Sequence, residues 1–222
     1  IFFTTMPTLH LLKSHGIAAH YISGPKHFAN LETSDWNELL EEELTICFET
    51  HRPKTFIFDG AFPYRGMLRA IQDHPMQKVW VRRGMFRHGG TNIPVDSIEH
   101  FNLIVHPGDA ISTPNSEISH QVDSLQVPPI LLLDDSEILS RNIALKRLGI
   151  PLDKRVVYVQ LGAGQINNIN SEVRLTVEGL LEHPDVHVVV GESMLGARHF
   201  VELDRVHIIR DYPNMIYRNA FD

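Results

Sequence analysis

Apolar residues along the chain switch repeatedly between two patterns. Short unbroken runs of β-branched and bulky residues alternate with longer stretches in which apolar positions recur every three or four residues. The first pattern predicts buried parallel strands and the second predicts amphipathic helices. Ile1 to Thr4 predicts a strand, Pro7 opens a helical turn carrying Leu9, Leu11 and Leu12, and His15-Gly16 stops it. Ile17 to Ile22 returns as a strand that Gly24-Pro25 ends. Ser34-Asp35 is expected to cap a long helix with Trp36, Leu39, Leu40, Leu44 and Phe48 on its apolar side and Glu38, Glu41, Glu42 and Glu43 on its wet side. Further strands are expected over Thr55 to Asp59, Lys78 to Arg83 and Phe101 to His106, with a helix near Arg65 to Asp73. Residues 111 to 126 are polar and without period, which reads as irregular surface.

The paired prolines of Val127-Pro-Pro-Ile-Leu-Leu-Leu133 exclude a helix and mark an extended crossing. A domain boundary placed there divides the chain into residues 1–127 and 128–222. Asp134-Asp135 reads either as a divalent-metal pair or, more simply, as the cap of a helix reaching Leu148-Gly149. A βα rhythm follows: a strand over Val156 to Leu161, a helix over Ser171 to His183, a strand over Val186 to Val190, a short helical piece around Gly196 to Leu203, and a strand over Val206 to Ile209. The fold class is α/β, with two doubly wound domains. The strand from Val156 is expected to be central and parallel, and the helix after it to begin between Asn168 and Glu172.

Composition narrows the function classes. A formal net charge of −7 over 222 residues disfavours a general nucleic-acid binder, and no apolar run reaches transmembrane length. The single cysteine, Cys47, excludes an internal disulfide framework and fits a reducing, cytoplasmic setting. Leu44 and Phe48 beside it place Cys47 on a buried helix face, where a reactive thiol is not expected. The chain opens on Ile1 without an initiator methionine and stops at Asp222 where a strand would start, so it is expected to be a fragment with both domains incomplete.

The candidate chemistry lies at predicted strand ends. Gly162 and Gly164 let the backbone turn sharply before a helix that Asn170 or Ser171 would cap, which makes either a seat for phosphate on free amides or only a tight βα turn. Asp59 and Arg65 flank the loop after another strand, either facing a ligand or pairing with each other. Arg82, Arg83 and Arg87 cluster within six residues of an acidic chain, which suits capture of phosphate or carboxylate or else a solvated face. Strand alternation would split Arg82 from Arg83, so the strand is expected to end near Val81 and at least one arginine to face the cleft between the domains.

Four segments carry a resemblance: Phe58-Asp-Gly-Ala-Phe-Pro-Tyr-Arg-Gly66, Trp80-Val-Arg-Arg-Gly-Met-Phe-Arg87, Val159-Gln-Leu-Gly-Ala-Gly164, and Arg210-Asp-Tyr-Pro213 with Asn219-Ala-Phe-Asp222. In order and spacing the chain resembles nucleotide-sugar glycosyltransferases of the GT-B fold, in the branch that includes the lipid-linked N-acetylglucosaminyltransferase of peptidoglycan synthesis. The resemblance implies two Rossmann-like domains, the first meeting the acceptor and the second the nucleotide sugar. It implies that Gly162, Ala163, Gly164 and Gln165 lie near the donor diphosphate, that Gly191, Glu192 and Ser193 flank the nucleoside, and that Asp211, Tyr212, Pro213 and Met215 lie against the base. Asp59, Arg65, Arg82, Arg83 and Arg87 are the corresponding candidates for the other substrate. The implied activity is metal-independent transfer of a sugar from a nucleoside-diphosphate donor, such as a UDP-sugar, to a hydroxyl acceptor that is a glycan, lipid or small molecule. No cofactor, nucleic acid or transmembrane segment is implied, and peripheral membrane contact is compatible with it. The same architecture also suits a sugar-nucleotide epimerase or hydrolase, or a non-catalytic nucleotide-binding module. The family's first glycine-histidine loop would precede Ile1 and its glycine-rich donor motif would follow Asp222, so neither the base nor the sugar-binding carboxylate can be named.

Overall fold

A computed structural model describes residues 1–5, 9–22, 24, 31–82, 95–108, 122–162, 169–192 and 203–222. The chain divides into two compact units, Ile1–Ile130 and Leu131–Asp222. The first contains β1 (Phe2–Thr4), α1 (Leu9–Ser14), β2 (Ala19–Tyr21), α2 (Thr33–His51), β3 (Thr55–Asp59), α3 (Arg65–Gln72), β4 (Gln77–Val81), α4 (Val95–Ile98), β5 (Leu103–Pro107) and β6 (Asp123–Val127). The second contains α5 (Arg141–Leu148), β7 (Arg155–Val159), α6 (Asn170–Leu181), β8 (Val186–Gly191) and β9 (Val206–Ile209), with 3-10 turns at Asp135–Glu137 and Asn214–Ala220. Among the described residues every strand pair is parallel, in the orders β1-β2, β3-β4-β5-β6 and β7-β8-β9. Parallel neighbours need crossovers, and α1, α3, α4 and α6 lie in those joining β1 to β2, β3 to β4, β4 to β5 and β7 to β8.

In the first unit, α2 turns Trp36, Leu40, Leu44 and Phe48 inward, a four-residue spacing that makes one stripe. The stripe meets Met67, Leu68 and Ile71 of α3, and the same core takes in Trp80 and Ile104 from the sheet. The two helices approach closely because Gly66 has no side chain. Its amide donates to Asn37 Oδ1 at 2.8 Å, and a Cβ there would sit 2.0 Å from the Asn37 carbonyl oxygen.

The second unit buries both faces of its sheet. Val156, Val189 and Ile209 pack with Ala144, Leu145, Tyr217 and Ala220 on one side. Val159, Val188, Val190 and Val206 pack with Val173 and Val177 of α6 on the other. Successive β8 residues Val188, Val189 and Val190 therefore enter alternate cores, which is why that run has no polar alternation.

Several sequence expectations are corrected. The stretch over 111–126 is not all irregular: residues 123–127 form β6, whose exposed side chains hide the strand from any hydrophobic pattern while its backbone pairs with β5. The first turn of α2 takes in Ser34 and Asp35, and Glu32 is the residue at its N-terminal boundary. The expected continuous helix from Ser136 is a 3-10 turn followed by α5. Asp134 and Asp135 serve that turn: the Asp134 amide donates to Glu137 Oε2 at 2.8 Å, and Arg218 donates to Asp135 Oδ1 at 2.9 Å. Finally, β7 is parallel, as expected. Among the described residues it pairs with β8 alone, and its other edge is taken by Asp222, whose amide donates to the Val156 carbonyl at 2.9 Å while its Oδ2 accepts from the Val156 amide at 2.8 Å. Arg141 fastens this corner by donating to the Ala220 and Lys154 carbonyls and to Asp222. These donors hold the Asp222 carboxyl below the usual range, the Val156 amide contributing most.

Candidate functional site

The carboxyl ends of β7, β8 and β9 bring together the chemistry of the second unit. Tyr158 in β7 points its hydroxyl over Gly191 at the end of β8, where a Cβ would lie 2.2 Å from Oη. The phenol donates to Gln160, accepts from Asn214 Nδ2 at 3.1 Å, and stacks on Phe221 with centroids 4.8 Å apart. Burial pushes its pKa up, and the Asn214 hydrogen bond offsets part of that. Asn214 Oδ1 is itself buried with no hydrogen-bond partner among the described residues.

Glu192 follows Gly191 directly and is buried, its amide donating to the Ile209 carbonyl at 3.1 Å. Arg210, just past β9, donates to Glu192 Oε2 at 2.5 Å, while Oε1 is buried and has no hydrogen-bond partner among the described residues. Thus one carboxylate oxygen is neutralised and the other is presented without a donor. Next along the chain, Asp211 accepts from the Tyr217 hydroxyl, and burial followed by this contact raises the Tyr217 pKa. Tyr212 is exposed, its bond to Pro213 is cis, Pro213 starts the final 3-10 turn, and Met215 is half-buried within that turn.

The glycine loop is described only at its first residue. Gly162 has φ of +88° with open space around it, a left-handed conformation that glycine adopts without strain. Ala163, Gly164, Gln165 and Ser193, like the helical piece expected around Gly196, lie outside the described residues. The helix after the loop begins at Asn170, inside the expected window. Capping by Asn170 or Ser171 is corrected, since the boundary residue is Ile169, which has no capping group, and Ser171 Oγ donates instead to Glu172 Oε2 at 2.9 Å. Hydrogen bonds from its own backbone and from Ser171 hold the Glu172 carboxyl below its ordinary value. A negative charge already sits at that helix start, so an anion docking there meets a partly countered dipole.

In the first unit, Asp59, Arg82 and His106 stand at the ends of adjacent parallel strands, in register through Asp59↔Val81 and Val81↔Val105. The strand before Arg82 ends at Val81, and the Arg82 amide donates to the Val105 carbonyl at 2.9 Å. Arg82 is only 6% exposed, which rules out a solvated face for it. Its guanidinium lies 5.8 Å from the Trp80 ring centroid, and burial lowers its pKa. Burial and this neighbouring charge also lower the pKa of His106, whose buried Nε2 has no hydrogen-bond partner among the described residues. Asp59 is exposed at its strand end, and Arg65 is exposed at the start of α3. Arg83 and Arg87 lie outside the described residues, and Arg82 is the member of the expected cluster that is described.

The sequence reading passed over Tyr158, His106 and Asn214 and treated Arg210 as loop context. Tyr158 had one signal, a hydroxyl inside an otherwise aliphatic strand. The others depend on register between strands distant in sequence.

No family model matches the chain, and no curated protein does. Solved structures share its fold, two of them as follows. A Staphylococcus aureus MnaA structure in complex with UDP matches 96% of this chain and 61% of its own, at 13% identity and a TM-score of 0.54. A Listeria monocytogenes structure described as a candidate UDP-N-acetylglucosamine 2-epimerase matches 98% of this chain and 62% of its own, at 9% identity and a TM-score of 0.51. The chain thus spans about three-fifths of the length of each neighbour. With its parallel sheets flanked by helices, it has the Rossmann-like, GT-B-type α/β fold of these structures.

Proposed function

We propose that the chain acts on UDP-linked sugars as an epimerase or hydrolase of the nucleotide sugar, rather than by transferring the sugar to a hydroxyl acceptor. The observation that carries this reading is the likeness over nearly the whole chain to a structure holding UDP, with the second neighbour described as an epimerase on UDP-N-acetylglucosamine. It reverses the order in which the sequence placed the two activities. The second unit is the nucleotide side in this reading: three parallel strand ends offer the Gly162 turn, Gly191-Glu192 and Asp211-Tyr212-Pro213 on one edge, which is where ligands bind open α/β sheets. Backbone amides after Gly162 would stabilise charge growing on the diphosphate as the sugar departs, without a metal. Exposed Tyr212 would offer a ring to the base. Glu192, half neutralised by Arg210, leaves Oε1 to accept from a ribose or sugar hydroxyl. Asp59, Arg65 and Arg82 are the first-unit groups assigned to the rest of the substrate.

Isothermal titration of the chain with UDP, followed by proton NMR of UDP-N-acetylglucosamine incubated with it, tests the proposal. The expected result is UDP binding and, with no acceptor present, a C-2 epimer or free sugar plus UDP. Turnover that appears only after an acceptor alcohol is added restores the transferase reading, and binding without turnover leaves a nucleotide-binding module. No UDP binding overturns all three.

A further inference from the structure

The first unit holds a cluster that the nucleotide reading does not use. Cys47 and His51 lie one turn apart on α2, so their side chains share one side of the helix. That row adjoins the stripe of Trp36, Leu40, Leu44 and Phe48 without belonging to it. Cys47 is half-buried rather than sealed in the core, which corrects the expectation drawn from its neighbours. From β2, His20 comes over the same spot. Its ring centroid is 5.6 Å from that of His51 and 6.4 Å from that of Phe3, so it stands between an aromatic wall and the helix. One ligand atom from each of His20, Cys47 and His51 lies within 4.8 Å of the other two.

The donors are two imidazoles and one thiol, a set suited to zinc rather than to calcium or magnesium, which take oxygen ligands. Tetrahedral zinc with ordinary Zn–N and Zn–S bonds holds its ligand atoms about 3.5 Å apart, so the widest pair must close by at most about 1.3 Å. His20 and His51 are exposed, so their rings can turn that far without disturbing the core, and an ion can reach them from solvent. We propose that His20, Cys47 and His51 form a three-ligand zinc site that ties β2 to α2 and leaves the fourth position to water. Three protein ligands with one open position is the arrangement of reactive or regulatory zinc rather than of closed structural zinc. Zinc binds the thiolate, so it must displace the thiol proton.

Cobalt(II) reports directly on such a site. Titrating the full chain with Co²⁺ should produce, at one equivalent, a thiolate-to-cobalt charge-transfer band together with intense visible bands of tetrahedral cobalt, and Zn²⁺ should abolish both. Cys47→Ser should remove the charge-transfer band. His20→Gln and His51→Gln should each weaken Co²⁺ binding by at least about tenfold, whereas His15→Gln, in the turn after α1, should leave it unchanged. Circular dichroism checks that each variant folds. Protection of Cys47 from iodoacetamide by Zn²⁺ gives a readout on the unaltered chain. Absence of the charge-transfer band overturns the proposal, as does a band that keeps its affinity in either His20→Gln or His51→Gln, or alkylation of Cys47 at the same rate with and without Zn²⁺. None of these readouts involves UDP, so this proposal and the nucleotide-sugar reading stand or fall separately.

Discussion

Gly191→Ala tests whether the strand ends of the second unit are built as described. The added Cβ would lie 2.2 Å from Tyr158 Oη, 2.9 Å from Cζ and 3.0 Å from Asn214 Nδ2. To restore ordinary contact the phenol must retreat by roughly 1.2 Å, and Phe221, stacked on the ring at 4.8 Å, limits its escape. Overpacking of this kind costs about 1–3 kcal/mol. Separating Tyr158 from Asn214 leaves buried polar atoms unpaired for about 1–3 kcal/mol more. Replacing a strand glycine returns about 0.5–1 kcal/mol, so the expected net destabilisation is about 2–5 kcal/mol. Tryptophan fluorescence is blind to it, because Trp36 and Trp80 both lie in the first unit. Amide hydrogen exchange read by mass spectrometry is the suitable assay: the β7–β8 ladder should exchange tens to thousands of times faster, while β3 to β5 stay unchanged. In the Tyr158→Phe background, which lacks Oη, the same alanine should cost at least about 1 kcal/mol less. Unchanged exchange in β8, or an equal cost in both backgrounds, would refute the placement of Tyr158 over Gly191.

Gly66→Ala should destabilise the first unit by about 2–4 kcal/mol despite alanine's advantage in helices, since its Cβ meets the Asn37 carbonyl at 2.0 Å and parting α2 from α3 breaks the 2.8 Å bond to Asn37 Oδ1. Urea unfolding followed by the fluorescence of Trp36 on α2 measures this, and a variant as stable as the parent would show that the helices do not pack this closely. A pH effect is expected from His187 and His207, whose rings stack 5.2 Å apart across β8 and β9 with Nδ1 of the first 2.9 Å from Nε2 of the second. Burial lowers both pKa values below 6.5, with nearby cations adding to the shift of His187 and the His187 charge adding to that of His207. The unfolded chain therefore takes up protons first: their contribution is complete above about pH 6.5 and is lost as pH falls through the lowered values. Stability of the second unit should drop on acidification less steeply in His207→Gln than in the parent, and identical pH profiles would remove the pair from the account.

The alternation of strand and helix was legible because burial on both faces of a parallel sheet leaves unbroken apolar runs, as in Val188 to Val190, whereas α2 shows a single stripe at four-residue spacing. Strand β6 was illegible for the opposite reason. Its order comes from backbone pairing with β5, and nothing in Asp123 to Gln126 has to be apolar for that. Lateral neighbours in a sheet are also absent from local sequence: that Asp222 bonds to Val156 on the edge of β7 away from β8 joins residues 66 apart.

The site shows the same limit more sharply. A loop glycine such as Gly162 announces itself, since its residue type alone allows φ of +88°. Gly191 carries a different message, because what excludes a side chain there is a phenol 33 residues earlier, brought alongside by the register Tyr158↔Val189. Likewise the pairing of Arg210 with Glu192 needs two strand ends to meet, and neither residue looks unusual alone. Side chains at the carboxyl ends of parallel strands are collected from separate segments by the crossovers, so their chemistry becomes visible only once the register is known. A further part that register alone defines is a buried carboxylate, Glu192, with one oxygen held by Arg210 and the other without a hydrogen-bond partner among the described residues.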